Sequence, residues 1–172
     1  RRENLALSVR LCTSLGEKLT ELDRLVRKCE TGTMVIYGAT RRTVEEVASW
    51  LGQTHPSVGY YHAGLSDEER RLVHDDFRQG QLRILVATNA FGMGIDKSDV
   101  RLVVHIDIPG SIEAYYQEAG RAGRDGLPAA CVLLFHERDL GTQEYFIQQA
   151  AKDPASGERA ARMRTLLREM LA

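Results

Sequence analysis

The sequence predicts an α/β protein of three layers, in which helices cover both faces of a mostly parallel sheet of about six strands. Short β-branched runs alternate with amphipathic helical segments along the chain. Most of these runs are too continuously apolar to have one face in water, which is typical of a buried parallel sheet. The 172 residues, 43% of them hydrophobic and 27% charged, can form one such domain with a sizeable core.

The first half of the chain is predicted to hold three strands separated by two helices. Apolar residues recur at helical spacing from Leu15 to Cys29, and Gly32 follows where that helix should end. The run TMVIY is wholly apolar, whereas the earlier NLALSV alternates like a half-buried strand. The predicted elements are strands at 4–9, 33–37 and 57–62 and helices at 15–29 and 43–51.

The second half is predicted to add two helices and three strands. Ser66 and Glu69 form a capping box that begins one helix, and Gly80 ends it. Strands are expected at 83–88, 101–108 and 129–135, with a helix at 111–119. We expect residues 1–150 to form the domain, and residues 151–172 to be a linker and a truncated helix.

Composition limits the possible partners. The formal net charge is −1, so a surface that attracts polyanions must be local. No apolar run approaches the roughly 20 residues of a membrane span and no secretory signal is visible, so no membrane partner is expected. Cys12, Cys29 and Cys131 lack metal or disulfide spacing, and we interpret them as buried apolar residues in a reducing compartment.

Four unusual loops follow four predicted strands. They are GATRR (38–42), HAGLS (62–66), TNAFGMGIDK (88–97) and PGSIEAYYQEAGRAGRDG (109–126). Ligands of open parallel sheets bind beyond the carboxyl ends of the strands, so we expect these loops to form one composite site.

The first two loops have the chemistry of anion binding. Thr40 and Ser66 can each cap a helix start, where free N–H groups and the positive dipole end meet. Arg41 adds charge, and His62 and Gly64 border the second start. Such a row of helix starts suits the repeating phosphates of a nucleic acid. The alternative interpretations are that Thr40 and Ser66 only cap their helices, that Arg41 is solvated, and that His62 has a structural role.

The segment QEAGRAGRDG places glycines and arginines at every third position. If it were one helical turn, Arg121 and Arg124 would share a face and present two guanidinium groups to a phosphate. The alternative is a surface loop whose arginines pair with Asp125 and a nearby glutamate. The chain has no phosphate-binding Gly-Lys-Ser/Thr loop, so the arginines would serve a triphosphate held by another domain.

These segments, in this order, resemble the second motor lobe of superfamily-two helicases, and specifically the RecQ family of DNA helicases. TMVIYGATRRTVEEVASWL resembles motif IV, ILVATNAFGMGIDKSDVRLVVHIDIP motif V and SIEAYYQEAGRAGRDG motif VI. The resemblance covers about residues 1–140 and implies a RecA-like fold.

The resemblance also implies an ATP-driven motor that moves 3′ to 5′ on single-stranded DNA and unwinds duplexes in repair and recombination. Arg124 would be the arginine finger, Arg121 its partner on the γ-phosphate, and Gln117 would help couple the lobes. Gly94 and Asp96 would contact ATP, with Asp96 at the ribose. The DNA backbone would be held by Thr40, Arg41, His62, Ala63, Gly64, Leu65, Thr88 and Asn89.

The same resemblance implies partners outside this sequence. ATP and Mg²⁺ would be held mainly by a first RecA-like lobe, and a zinc module would follow the second lobe. We therefore expect an excised piece with negligible ATPase activity alone, from a protein of the bacterial nucleoid or the eukaryotic nucleus. Asp96, Asn89 and Ser98 depart from the family pattern. The alternatives are an RNA-directed translocase and a non-catalytic phosphate-binding domain.

Overall fold

A computed structural model describes residues 3–92, 96–139 and 165. Its centre is one sheet of six strands in the order β1-β6-β5-β2-β4-β3, and all five strand pairs are parallel. The strands are β1 (Leu5–Leu11), β2 (Thr33–Tyr37), β3 (Val58–Tyr61), β4 (Ile84–Ala87), β5 (Val100–His105) and β6 (Ala129–Phe135). The helices are α1 (Leu15–Lys28), α2 (Arg41–Gly52), α3 (Asp67–Gln79) and α4 (Ile112–Ala119). The predicted α/β class and strand number are confirmed.

Alternate residues of the central strands point into two separate cores. In β2, Met34 and Ile36 pack with α1 and α2, whereas Val35 and Tyr37 pack with α3 and α4. Helices therefore cover both faces of the sheet, which explains why β2 and β4 are buried along their whole length.

The helix signals in the sequence act as predicted. Ser66 Oγ accepts a hydrogen bond from the Glu69 N–H, and the Glu69 carboxylate accepts one from the Ser66 N–H. These bonds hold the pKa of Glu69 below its ordinary value. Gly80 ends α3 with a φ of 81°, a left-handed conformation that favours glycine.

The boundaries of several strands differ from the prediction. Strand β1 extends to Leu11 and lies at the edge of the sheet, with Leu7 and Leu11 exposed. Strand β5 ends at His105 rather than Ile108, because Asp107 turns away to accept the Ala39 N–H at 2.7 Å. Such ends depend on contacts distant in sequence, which local hydrophobicity does not encode.

Two further predictions have different outcomes. Cys12 and Cys131 are buried as predicted, whereas Cys29 is only partly buried at the end of α1, where it packs against the core. The predicted linker and tail, 151–172, lie outside the described residues except for Thr165. No helix among the described residues is long and apolar enough to cross a membrane.

Candidate functional site

The loops singled out in the sequence meet at the carboxyl edge of the sheet. Strands β5, β2, β4 and β3 are consecutive neighbours, so their carboxyl ends lie side by side. Backbone hydrogen bonds connect the loops just beyond these ends. Gly38 N–H donates to the Ala87 carbonyl at 3.0 Å, and Thr88 N–H donates to the Tyr61 carbonyl at 3.2 Å. The predicted composite edge is therefore formed.

The first part of this edge combines the start of α2 with the turn after β3. Thr40 caps α2 by accepting the Thr43 N–H at 3.1 Å. Arg41 begins the helix and extends over Gly64, where an added Cβ would lie 3.0 Å from Arg41 Nη1. Thr40, Arg41, Ala63 and Gly64 are exposed, and Leu65 is partly exposed. This part of the edge presents Arg41 and the exposed turn after β3 to solvent.

His62 supports the turn from beneath. It is buried, and its Nδ1 accepts the Gly64 N–H at 3.0 Å. Nε2 must then carry the proton, which it donates to the Glu45 carboxylate at 2.7 Å. Both ring nitrogens are engaged inside the domain, so the structural alternative describes His62 well. Its effect on a ligand would come through the shape of the turn.

The loop after β4 is anchored by aromatic packing. Phe91 is fully buried, with its ring 5.0 Å from that of Tyr61 and 5.8 Å from that of Phe77. Thr88 is buried and its hydroxyl accepts the Ala90 N–H at 3.4 Å, whereas Asn89 is exposed. Gly94 lies outside the described residues.

The arginine segment is a series of turns and not a helical turn. Helix α4 ends at Ala119, and Gly123 has a φ of 61°. A Cβ at Gly123 would come within 2.6 Å of Asn4 Nδ2 and 2.9 Å of the Leu127 carbonyl oxygen. The expectation that the two arginines share a helical face was therefore wrong. The glycine is required by its dihedral angle and by the closely packed backbone.

The two arginines occupy different environments. Arg121 is only 9% exposed; Nη2 donates to the Gly92 carbonyl at 2.5 Å, and Nε is buried with no hydrogen-bond partner among the described residues. Arg124 keeps 39% of its side chain exposed and contacts Asp96, which is 88% exposed, at 3.0 Å. An approaching phosphate would thus meet Arg124 at the surface, and the unsatisfied Arg121 behind it gives the edge further capacity for an anion.

The neighbours of the arginines are only partly those expected. Asp125 binds neither Arg121 nor Arg124; both its oxygens accept from Arg101 at 2.5 Å, and this bond holds the pKa of Asp125 below its ordinary value. That alternative pairing was therefore wrong. Gln117 is exposed on the last turn of α4, where a neighbouring domain could contact it.

Sequence reasoning missed a buried polar cluster behind the arginine segment. Glu118 is 8% exposed and contacts the fully buried His105, with 2.8 Å between Oε2 and Nε2. The available signal was a glutamate between Tyr115 and Ala119 on the apolar face of α4, together with a histidine ending an apolar strand. Neither residue is unusual alone, and only the three-dimensional structure pairs them.

Comparison with known proteins agrees with this geometry. The family model described as "Helicase conserved C-terminal domain" matches residues 17–126. The ATP-dependent DNA helicase RecQ of Bacillus subtilis is 38% identical over 167 residues, which cover 96% of this chain and 28% of that protein. The putative ATP-dependent RNA helicase R290 of Acanthamoeba polyphaga mimivirus is 40% identical over 148 residues, or 86% of this chain and 27% of that protein.

A solved structure of similar fold is S. cerevisiae Dbp5 bound to RNA and ADP BeF3. It matches with a TM-score of 0.73 and 27% identity over 87% of this chain and 39% of that one. These comparisons confirm both the resemblance to RecQ-type helicases and the RecA-like fold. The chain spans 30% or less of the length of the first curated relatives.

Proposed function

We propose, on the premise that this chain belongs to the helicase conserved C-terminal domain family, that it is the second motor lobe of an ATP-dependent, RecQ-type DNA helicase. The observation that carries the proposal is the arginine segment. Arg124 is exposed at the carboxyl edge, with Arg121 behind it. A lobe that presents cations to a cleft is suited to complete an ATP site built by another lobe.

In this proposal Arg124 is the arginine finger. It would leave Asp96, turn toward the γ-phosphate and neutralise the charge that develops there, an effect worth about 10³–10⁵-fold in rate. Arg121, which is buried behind Arg124, would contact the same phosphate after its guanidinium shifts toward the cleft. Asp96 and Gly94 would contact the nucleotide, and Gln117 would contact the first lobe. ATP and Mg²⁺ would be bound mainly by that lobe, and any zinc module would lie outside this chain.

The nucleic-acid track would lie along the same edge, over α2 and the turn after β3. Arg41 would contact phosphates beside the exposed turn of residues 63–65, whose Gly64 and Leu65 N–H groups are bonded to His62. Thr40, Thr88 and Asn89 would extend this row. His62 would shape the turn. Because phosphate contacts carry no base information, the track suits single-stranded DNA of any sequence. Movement from 3′ to 5′, duplex unwinding and a role in repair and recombination belong to the same proposal.

The proposal is tested by Arg124→Ala in the full-length protein. We expect ATP hydrolysis to fall by at least about 10²-fold, with nucleotide affinity changed much less, because the finger acts on the transition state. The control is Arg24→Ala, which removes an exposed ion-paired arginine on α1, remote from the edge. Unchanged turnover in Arg124→Ala would reject the finger role.

A lobe of an RNA-directed helicase is the second candidate. It is favoured by one observation, the 40% identity to a protein named as a putative RNA helicase. Strand displacement by the full-length protein on matched DNA and RNA duplexes separates the two candidates. Preference for RNA would overturn the DNA assignment.

A further inference from the structure

We propose that Glu118 and His105 are positioning residues, whose buried contact sets the place of Arg121 and of the loop after β4. The inference rests on the proposed function, because it assigns these residues to the same ATP-hydrolysing motor. Neither side chain reaches the surface of the edge, so both would act only through their neighbours.

Glu118 lies directly before the arginine segment. It is in the last turn of α4, and its carbonyl accepts the Arg121 N–H at 3.2 Å. Its carboxylate points the other way, into the domain, where Oε2 lies 2.8 Å from Nε2 of His105 at the end of β5. The contact therefore fixes the end of α4 against the sheet where the chain turns into the arginine segment.

The surroundings of His105 prepare it to donate to Glu118. Its Nδ1 lies 3.7 Å from the Cys131 thiol, and burial raises the pKa of that thiol to about 12. The thiol keeps its proton at neutral pH and donates it to Tyr115 Oη at 3.9 Å, so it packs against both rings. A carboxylate oxygen accepts, so the ring proton on the His105–Glu118 contact is that of Nε2. The buried Glu118 carboxylate thus has a donor that is held in place by packing against Cys131 of β6.

A second contact extends from His105 to the loop after β4. The Tyr37 ring stacks on His105, with centroids 5.4 Å apart and planes at 19°. Tyr37 Oη donates to the Phe91 carbonyl at 3.4 Å, and Arg121 donates to the next carbonyl, that of Gly92, at 2.5 Å. Two consecutive loop carbonyls are thus held by side chains that depend on the His105–Glu118 contact.

It follows that the contact connects the two halves of the proposed site. Arg121 belongs to the nucleotide half, whereas Thr88 and Asn89, which begin the loop held at Phe91 and Gly92, belong to the nucleic-acid half. Loss of the His105–Glu118 contact should displace both Arg121 and the loop after β4. A misplacement of about 1 Å at a reacting centre can cost about 10²-fold in rate.

The experiment measures DNA-stimulated ATP hydrolysis by the full-length protein carrying Glu118→Ala or Glu118→Gln. For Glu118→Ala we expect kcat to fall at least about 10-fold while the KM for ATP changes less than about threefold, since a displaced arginine weakens the transition state more than binding. Glu118→Gln keeps an oxygen that accepts from Nε2, so we expect most of kcat to return.

The matched control is Asp23→Ala, which breaks another histidine–carboxylate contact of the chain. Asp23 accepts from His55 at 2.7 Å, away from the edge, and also from Arg27 at 2.7 Å, so its loss removes one further exposed ion pair. Both variants should lower the unfolding temperature, but only Glu118→Ala should lower kcat. Wild-type kcat in Glu118→Ala, or a loss that Asp23→Ala reproduces at equal loss of stability, would overturn the inference.

Two further comparisons keep the test decisive. If Glu118→Ala fails to fold, His105→Phe replaces it, because phenylalanine keeps a ring against Tyr37 but has no donor for Glu118. A kcat loss of about 10-fold at unchanged KM supports the inference, and wild-type kcat overturns it. Arg124→Ala separates this inference from the proposed function. A loss of turnover in Arg124→Ala but none in the Glu118 and His105 variants would reject only the positioning role.

Discussion

Arg121 and Arg124 carry the same charge three positions apart, yet their surroundings give them different chemistry. Arg121 is enclosed and bonded to Gly92, and its Nε has no hydrogen-bond partner among the residues that the structure describes. Arg124 is exposed and held by a single exposed carboxylate, a contact of the kind that contributes about 0–1 kcal/mol. A small stabilisation of this kind can be broken by an arriving phosphate, so Arg124 is the more readily redirected of the two.

The ion pair of Asp125 with Arg101 is predicted to stabilise the chain in a pH-dependent way. The contact with Arg101 lowers the pKa of Asp125, so the stabilisation is present above the unfolded value of 3.8 and is lost as pH falls through the lower folded value. Asp125→Asn should lower the unfolding temperature of the 172-residue chain at pH 7, and this deficit should shrink as pH falls below 3.8 toward the lower folded value, because wild type then loses the charge that Arg101 stabilises. Thermal unfolding followed by circular dichroism measures both.

The control for Asp125 is Glu46→Gln, which breaks an ion pair between highly exposed side chains on α2. It should change the unfolding temperature little at any pH, because such pairs contribute little. A deficit in Asp125→Asn that stays constant down to about pH 3 would contradict the assigned role of the charge.

At the scale of elements, the existence and type of each helix and strand could be predicted, whereas several ends could not. Apolar periodicity and caps are local signals, so α3 begins and ends where Ser66 and Gly80 indicate. The end of β5 depends on Asp107 accepting a hydrogen bond from Ala39, 68 residues away in sequence. The arginine segment was misjudged for the same reason, since Gly123 fits against Asn4 from the start of the chain.

Glycine substitutions test this account of the arginine segment. Gly123→Ala should destabilise the chain by more than the roughly 1–2 kcal/mol of a left-handed residue, because its Cβ would also meet backbone at 2.9 Å. Gly80→Ala is the matched control, with φ of 81° and nothing within 4 Å of the added atom. Denaturant unfolding measures both free energies. Equal losses would show that crowding at Gly123 is unimportant.

At the scale of the whole molecule, the sequence indicated which edge of the sheet carries the site but not how the strands are ordered. The strand segments are similar in composition, so nothing in the sequence places β1 beside β6 or β4 between β2 and β3. Because every strand is parallel, any order brings the carboxyl ends to one edge, and the composite site was predictable without the topology. The buried contact of His105 with Glu118 could not be predicted from the sequence, because it depends on how α4 packs against β5.

The charge of the molecule determines how this chain should bind DNA by itself. With a net charge of −1, attraction depends on a few cations at the edge, among them the exposed Arg41 at the start of α2. We expect a dissociation constant of about 10⁻⁴ M or weaker for single-stranded DNA at physiological salt. For about three phosphate contacts with a single strand, affinity should fall roughly 20-fold between 50 and 200 mM salt.

The neighbouring arginines of α2 make this prediction specific. Arg41→Ala should reduce the slope of log affinity against log salt by about 1, because one phosphate contact is lost. Arg42→Ala, one residue along and paired with Glu46 at 2.8 Å, should leave the slope unchanged. Fluorescence anisotropy of a labelled oligonucleotide measures all three proteins. Sub-micromolar binding at physiological salt, or equal slopes for the two variants, would mean that the DNA is held by a surface other than the start of α2.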